Sequence, residues 1–261
     1  MNKPMAERTG PALGAAALSI LLCFTAAGAS AQEDGHGRGH VHGQSTGARC
    51  SGLPTAGQLK QFLVAAPSHD GEAGGLFHGT RMWGAVVNRN GELCAFATSK
   101  DDPTQVWPGS QAIAKAKAYT ANAFSLDVLA LSTALLYTFT QPTHSLWGLN
   151  HSNPFNPDAL DHPGGRGQID GGIITFGGGV PLYKSGKVVG GLGVSGDTAC
   201  ADHEIAKRVR DLAGLNPPGG ATADDISYSS QDGPSVFTHP LCLNTWKNGA
   251  FVGTEQPAVG Y

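Results

Sequence analysis

Between Val180 and Ser195 the chain reads Val-Pro-Leu-Tyr, then Lys-Ser-Gly-Lys, then Val-Val-Gly-Gly-Leu-Gly-Val-Ser. Two apolar runs around a short glycine-bearing turn predict a β-hairpin. The second run carries Gly190, Gly191 and Gly193 inside the strand, where glycine costs conformational entropy and contributes no side chain to the packing. Such glycines mark a bend or a close approach by another backbone or a ligand. A second hairpin is expected earlier, because Met82–Asn88 and Leu93–Ala97 flank Arg89-Asn90-Gly91-Glu92. Asn-Gly between apolar runs is the strongest short hairpin signal, since both residues tolerate positive φ. Gly171–Phe176 reads as the opening of the second β section, ahead of Val180.

Helical patterns separate these strands. A short one runs from Leu59 to Ala66. Ser110 can cap a helix through Ala123 built on Ala112, Ile113, Ala116 and Thr120, and Ser125 can cap another through Tyr137 with Leu126, Leu129, Ala130 and Leu136 apolar. Pro142 closes that section. Asp202–Leu215 places Ile205, Val209 and Leu212 at helical spacing and stops at Gly214 and Pro217. Hairpin, helices, hairpin, helix is the order of an α+β domain with an antiparallel sheet and flanking helices.

The ends of the chain read differently. Lys3 and Arg8 precede an apolar run from Ala12 to Ala27, and Ala29-Ser30-Ala31 is a small-x-small cleavage pattern. Residues 1–31 are therefore expected to be a signal peptide, cleaved after Ala31, that places the protein in the periplasm or outside the cell. Acylation at Cys23 is disfavoured by the bulk of Leu22. Residues 32–50 form a His/Gly-rich arm with His36, His40 and His42, which reads as a flexible linker able at most to scavenge metal weakly. The folded domain is expected over 51–215, with a loop-rich extension over 216–261 that a disulfide would help to hold. No later stretch approaches the roughly 20 apolar residues of a membrane span. A net charge of −3 and only 14 % charged residues leave no basic surface for nucleic acid.

Export leaves Cys50, Cys94, Cys200 and Cys242, an even number in an oxidising compartment. Three pairings are possible; Cys50 with Cys242 and Cys94 with Cys200 is preferred, because it ties the two tails. No CxxC occurs, so thioredoxin-like chemistry and a zinc ribbon lack support, and without CxxCH there is no covalent c-type haem.

Gly191-Leu-Gly193-Val-Ser-Gly196 matches GxGxxG, but it follows a hairpin instead of opening a parallel βαβ unit, which argues against a dinucleotide site. Position 197 is Asp, which breaks GxSxG around Ser195, and Lys207 stands where a zincin needs its second histidine after His203-Glu204. Asp202 reads as a carboxylate meeting the positive end of its helix, and His203 beside it as either a metal ligand or a structural histidine. Ser145–Asn153 is different, combining Trp147, His151, Asn150 and Asn153 in one loop, the mixture of a concave binding site.

Trp147-Gly-Leu-Asn-His151-Ser-Asn153, Gly171-Gly-Ile-Ile-Thr-Phe176-Gly-Gly-Gly-Val-Pro181-Leu, Lys187-Val-Val-Gly-Gly-Leu-Gly-Val-Ser195-Gly196 and Asp202 with Ile205-Ala206 together resemble the GlcG/HbpS family of haem-binding proteins. The hairpin at Asn90-Gly91 and Lys117-Ala-Tyr-Thr120-Ala121 look like the family's earlier half, so the resemblance spans roughly Leu59 to Leu215. It implies a profilin-like α/β/α domain, homo-oligomers and non-covalent haem binding, for capture, carriage or sensing, with haem degradation suggested for some members. The implied site residues are His151 as first axial ligand, Asn153 beside it, Lys117 and Thr120 on the helix near the ligand, Phe176 against the ring, and Gly177 and Gly178 where backbone comes close. His203 is the second metal candidate. Pro154–Asp170 departs from the family pattern as an insertion beside this site, a lid or an obstruction. Two alternatives are an extracytoplasmic small-molecule enzyme using Asp202, His203 and His151 as acid–base groups, and an accessory interaction subunit. The leader reading has a direct check: N-terminal sequencing of the exported protein is expected to begin at Gln32, and an intact Met1 would refute it.

Overall fold

The computed structural model describes residues 49–156 and 167–257. The leader, the arm with His36, His40 and His42, and residues 157–166 of the insertion lie outside the described residues. Four antiparallel strands, β1 (Trp83–Asn88), β2 (Leu93–Thr98), β3 (Gly179–Lys184) and β4 (Lys187–Ser195), form a sheet in the order β2-β1-β4-β3. The two hairpins read from the sequence are thus joined along β1 and β4, with Ala85 opposite Gly193 and Val87 opposite Gly191. Asn88 Oδ1 accepts the amides of Asn90 and Glu92, both at 3.0 Å, and closes the first turn.

Helices cover both faces. α1 (Ala56–Ala65) opens with a capping box between Thr55 and Gln58. Together with α3 (Ala199–Leu212) it covers one face, where Leu59, Leu63, Val86, Val180, Leu192, Val194, Ile205 and Val209 form the main core. α2 (Ser110–Phe124) covers the other, over Trp83, Ala85, Val87 and Leu93. The α+β expectation of an antiparallel sheet with flanking helices is met. Period-2 alternation along β1 explains the division: Trp83, Ala85 and Val87 point to α2, while Val86 points to α1 and α3.

β4 is glycine-rich because α2 is packed almost onto its backbone. A Cβ on Gly193 would stand 1.9 Å from the Ala114 carbonyl oxygen and 2.5 Å from the Ala118 nitrogen, and one on Gly191 would stand 2.1 Å from the Ala118 carbonyl oxygen. The close partner implied by the glycines is therefore the protein's own helix, which accounts for the GxGxxG match without a nucleotide.

Several expectations are corrected. α3 starts at Ala199, three residues before Asp202, because the Thr198 side chain accepts the Ala201 amide as N-cap. No helix runs from Ser125 to Tyr137. The Ser125 hydroxyl instead bonds both the amide and the carbonyl of Leu131 at 3.0 and 3.1 Å, closing a loop, and two short 3₁₀ turns, Thr133–Leu136 and Thr138–Thr140, follow. Gly171–Phe176 does not join the sheet: the Ile174 amide is captured by Thr120 Oγ1 at 3.0 Å, so the segment crosses α2.

The preferred cysteine pairing is also overturned, for the disulfides are Cys50–Cys94 and Cys200–Cys242. β2 is an edge strand, and it brings Cys94 beside the segment that leads into α1, whereas Cys200 starts α3 and meets the returning tail. That tail carries α4 (Ser229–Asp232) and a small hairpin, β5 (Thr245–Lys247) with β6 (Ala250–Gly253).

The substitution Gly193→Ala is expected to push α2 off the sheet and to cost about 3 kcal/mol or more. Gly109→Ala, where a Cβ meets nothing within 4 Å, should leave stability unchanged or slightly raised. Chemical denaturation of the two variants checks the contrast.

Candidate functional site

The family-type motifs around Lys117, Phe176 and Val194–Asp202 meet at one buried ion pair. Lys117, on α2, is wholly buried, and its ammonium donates to Asp202 Oδ2 at 2.7 Å and to the Val194 carbonyl at 3.1 Å. Asp202, in the first turn of α3, uses its other oxygen to accept the amides of Gly196 and Asp197 at 3.0 and 2.9 Å. The Phe176 ring lies over the ammonium, with its centroid 4.9 Å from Nζ. Gly178 is required here, since a Cβ would stand 2.6 Å from that nitrogen. Desolvation pushes the Asp202 carboxyl up to about 6 and holds the Lys117 ammonium below its ordinary value, against the attraction between the two.

Around the pair, hydroxyls and amides lock the glycine turn. Thr133 Oγ1 donates to the Phe176 carbonyl at 2.6 Å and accepts the Gly179 amide at 2.9 Å. The Gly177 amide donates to Nε2 of His239 at 3.3 Å, and the Nδ1–H of that ring donates to the Pro240 carbonyl at 2.7 Å. Burial is the main cause that lowers the His239 pKa to about 4, opposed by the Pro240 hydrogen bond. Asp197, notable in the sequence only for breaking a hydrolase motif, accepts the amides of Leu76 and Phe77 at 2.6 and 2.8 Å and of Gly79 at 3.2 Å.

The remaining candidates divide by exposure. Thr120 is buried, donating to the Ala116 carbonyl at 2.7 Å while it holds the Ile174 amide. His203 is also fully buried, with Nε2 3.1 Å from the Ile226 amide and 3.4 Å from Asp225. Lys117, Thr120 and His203 are therefore supports inside the protein and present no ligand to a bound molecule. The buried Asp202 and His203 and the exposed His151 engage different partners, so the proposed acid–base trio does not assemble.

His151 is exposed, and its imidazole has no hydrogen-bond partner among the described residues. Its only ring contact among the described residues is edge-on with Trp147, centroids 5.8 Å apart at 78°, and Trp147 is itself 57 % exposed. Asn153 is exposed and closes the loop by donating to the Leu149 carbonyl at 2.9 Å. Asn150 donates to Thr175 Oγ1 at 3.0 Å, which ties this loop to the segment carrying half-buried Phe176. The arrangement is an open imidazole and an open indole on a loop anchored to a rigid wall, a donor set suited to a large planar ligand with a metal centre.

His239 and Thr133 were missed in the sequence. His239 lies in the tail with no motif around it, and a lone threonine in an apolar run carries no signal of its tertiary partners.

A family model described as haem degrading protein HbpS-like matches residues 72–211. The corrinoid adenosyltransferases PduO of Citrobacter freundii and of Salmonella typhimurium are each 32 % identical to this chain over 107 residues, 41 % of this chain and 25 % of theirs. The chain thus spans about a quarter of the length of the curated relatives it matches. Among solved structures, a PduOC:haem complex is similar at a TM-score of 0.44 and 24 % identity, over 61 % of this chain and 92 % of that one. The Klebsiella pneumoniae protein ORFY gives 0.42 and 24 % over 61 % and 88 %, and HbpS gives 0.36 and 20 % over 61 % and 89 %.

His239 makes one contribution to the pH dependence of stability, and Asp202, held up to about 6, makes one of opposite sign. An ordinary histidine titrates near 6.5 in the unfolded chain and this one near 4 when folded, so between those values the unfolded state binds more protons. Its contribution is full above pH 6.5 and is lost as pH falls to 4, about 3 kcal/mol in all. Denaturation at pH 7 and at pH 4.5 should show stability changing less favourably on acidification in the wild type than in His239→Gln, in which the Asp202 contribution is retained.

Proposed function

The chain belongs to the HbpS-like family, and from that premise we propose that it is an exported protein that captures haem or a related iron-porphyrin non-covalently, for carriage or sensing. The observation that carries this reading is the exposed imidazole of His151, without a hydrogen-bond partner among the described residues, beside the exposed ring of Trp147, both inside the interval that matches the family. His151 would supply an axial nitrogen, Trp147 and the outer edge of Phe176 apolar surface against the macrocycle, and Asn153 the fixed shape of the loop. Bound haem would contribute a redox-active iron. Lys117, Thr120, Gly177 and Gly178 take part from within, holding Phe176 and the 173–178 segment in place. Export rests on the Lys3–Ala31 leader. Assembly into a homo-oligomer is supported by exposed apolar groups such as Val128, Leu129, Val236 and Phe237, of which Leu129 and Phe237 line a cleft of about 420 Å³.

Titration of the purified protein with hemin, followed in the Soret region, tests the reading. A saturable, shifted band near one haem per chain is expected, with His151→Ala weakening binding at least about tenfold, or some 1.4 kcal/mol. A response like that of free hemin would overturn the haem reading. A normal band and affinity in His151→Ala would remove only this residue as the ligand.

A further inference from the structure

The Cys200–Cys242 disulfide has a third potential metal ligand beside it. The two sulfurs and an imidazole nitrogen of His239 all lie within 4.8 Å of one another, and the three residues are buried, Cys242 retaining 8 % of its surface. The Nδ1–H of His239 is committed to the Pro240 carbonyl, so the tautomer carries its lone pair on Nε2, which receives only the Gly177 amide across 3.3 Å. A neutral imidazole whose other nitrogen donates to a carbonyl is the form in which histidine binds metals. No such third ligand stands beside Cys50–Cys94 among the described residues.

We propose that reduction of the Cys200–Cys242 disulfide opens a site for a borderline-soft divalent cation of the zinc class, with Cys200, Cys242 and His239 as ligands. A dithiol supplies two electrons and two protons and becomes a disulfide, while the S–S bond breaks to give two thiols. The cation then displaces both thiol protons to solvent, forming two S–metal bonds and one N–metal bond. Tetrahedral sites with metal–sulfur bonds of about 2.3 Å hold their sulfurs about 3.8 Å apart, within the compass of this trio. The ligand-bearing backbone is fixed by other contacts than the disulfide. Thr198 caps α3 ahead of Cys200, the Cys242 amide donates to Thr245 Oγ1 at 2.8 Å, and Thr245 pairs with Gly74. Reduction therefore frees the sulfurs without first having to assemble the site. The inference does not depend on the haem reading.

Cobalt(II) is the probe, because thiolate ligation adds a near-ultraviolet charge-transfer band that imidazoles, including those of the 32–50 arm, do not produce. Cys50→Ala/Cys94→Ala protein, reduced with dithiothreitol and desalted without air, is expected to bind one cobalt per chain with that band and to lose it to zinc. The oxidised protein should show none, and adding His239→Ala should weaken binding at least about tenfold. Absence of the band after reduction, or an affinity unmoved by His239→Ala, would overturn the proposal. If circular dichroism shows the double variant unfolded, reduced wild type is compared with Cys200→Ser/Cys242→Ser, where loss of one bound cobalt per chain with its share of the band supports the site and an unchanged stoichiometry refutes it.

Discussion

The ion pair between Lys117 and Asp202 is the point at which the separate parts of the chain meet. Lys117 comes from the helix on one face of the sheet and Asp202 from the helix on the other, and they meet at the end of β4, where Val194, Gly196 and Asp197 supply the remaining hydrogen bonds. Removing both charges from water is costly, so the pair is poor evidence of added stability. With one partner displaced, the other is a buried charge without compensation, which penalises any arrangement of α2, β4 and α3 other than this one.

That constraint explains the glycines. α2 can reach Asp202 only by lying almost in contact with the β4 backbone, and Gly191 and Gly193 provide the clearance. Gly178 provides the same clearance for the ammonium itself. The 173–178 segment is then trapped between Thr120 on α2, Thr133 in the 3₁₀ turn and His239 in the tail, and it presents Phe176 at the edge of the interior. The loop with Trp147 and His151 rests on this wall through Asn150 and Thr175. A polar, exposed loop on a rigid apolar scaffold is a common way to present binding groups.

The tail connects the two proposals physically. His239 reaches the Gly177 amide, and Cys242 is bonded to Cys200 at the start of the helix that carries Asp202. The extension beyond Leu215 is thus built into the support of the glycine turn, although the matched family interval ends at residue 211.

Periodicity and turn chemistry determined the local elements: the Asn90-Gly91 hairpin, the Ser185-Gly186 hairpin, the helix from Ser110 and the packing face of Ile205 and Val209. Ordered motifs determined the family and pointed to the residues of the site region. Tertiary structure decided which of those residues face outward. Lys117, Thr120 and His203 look as available as His151 in the sequence, yet only His151 is exposed, because burial depends on which helix face meets the sheet and on where a distant tail returns. It also decided against a helix after Ser125, where the Ser125 and Thr133 hydroxyls found backbone partners outside any helical turn. The cysteine pairing belongs to the same class. Spacing along a chain carries no information about distance in space, and only the placement of β2 at the sheet edge and of α3 beside the tail brings each sulfur to its partner.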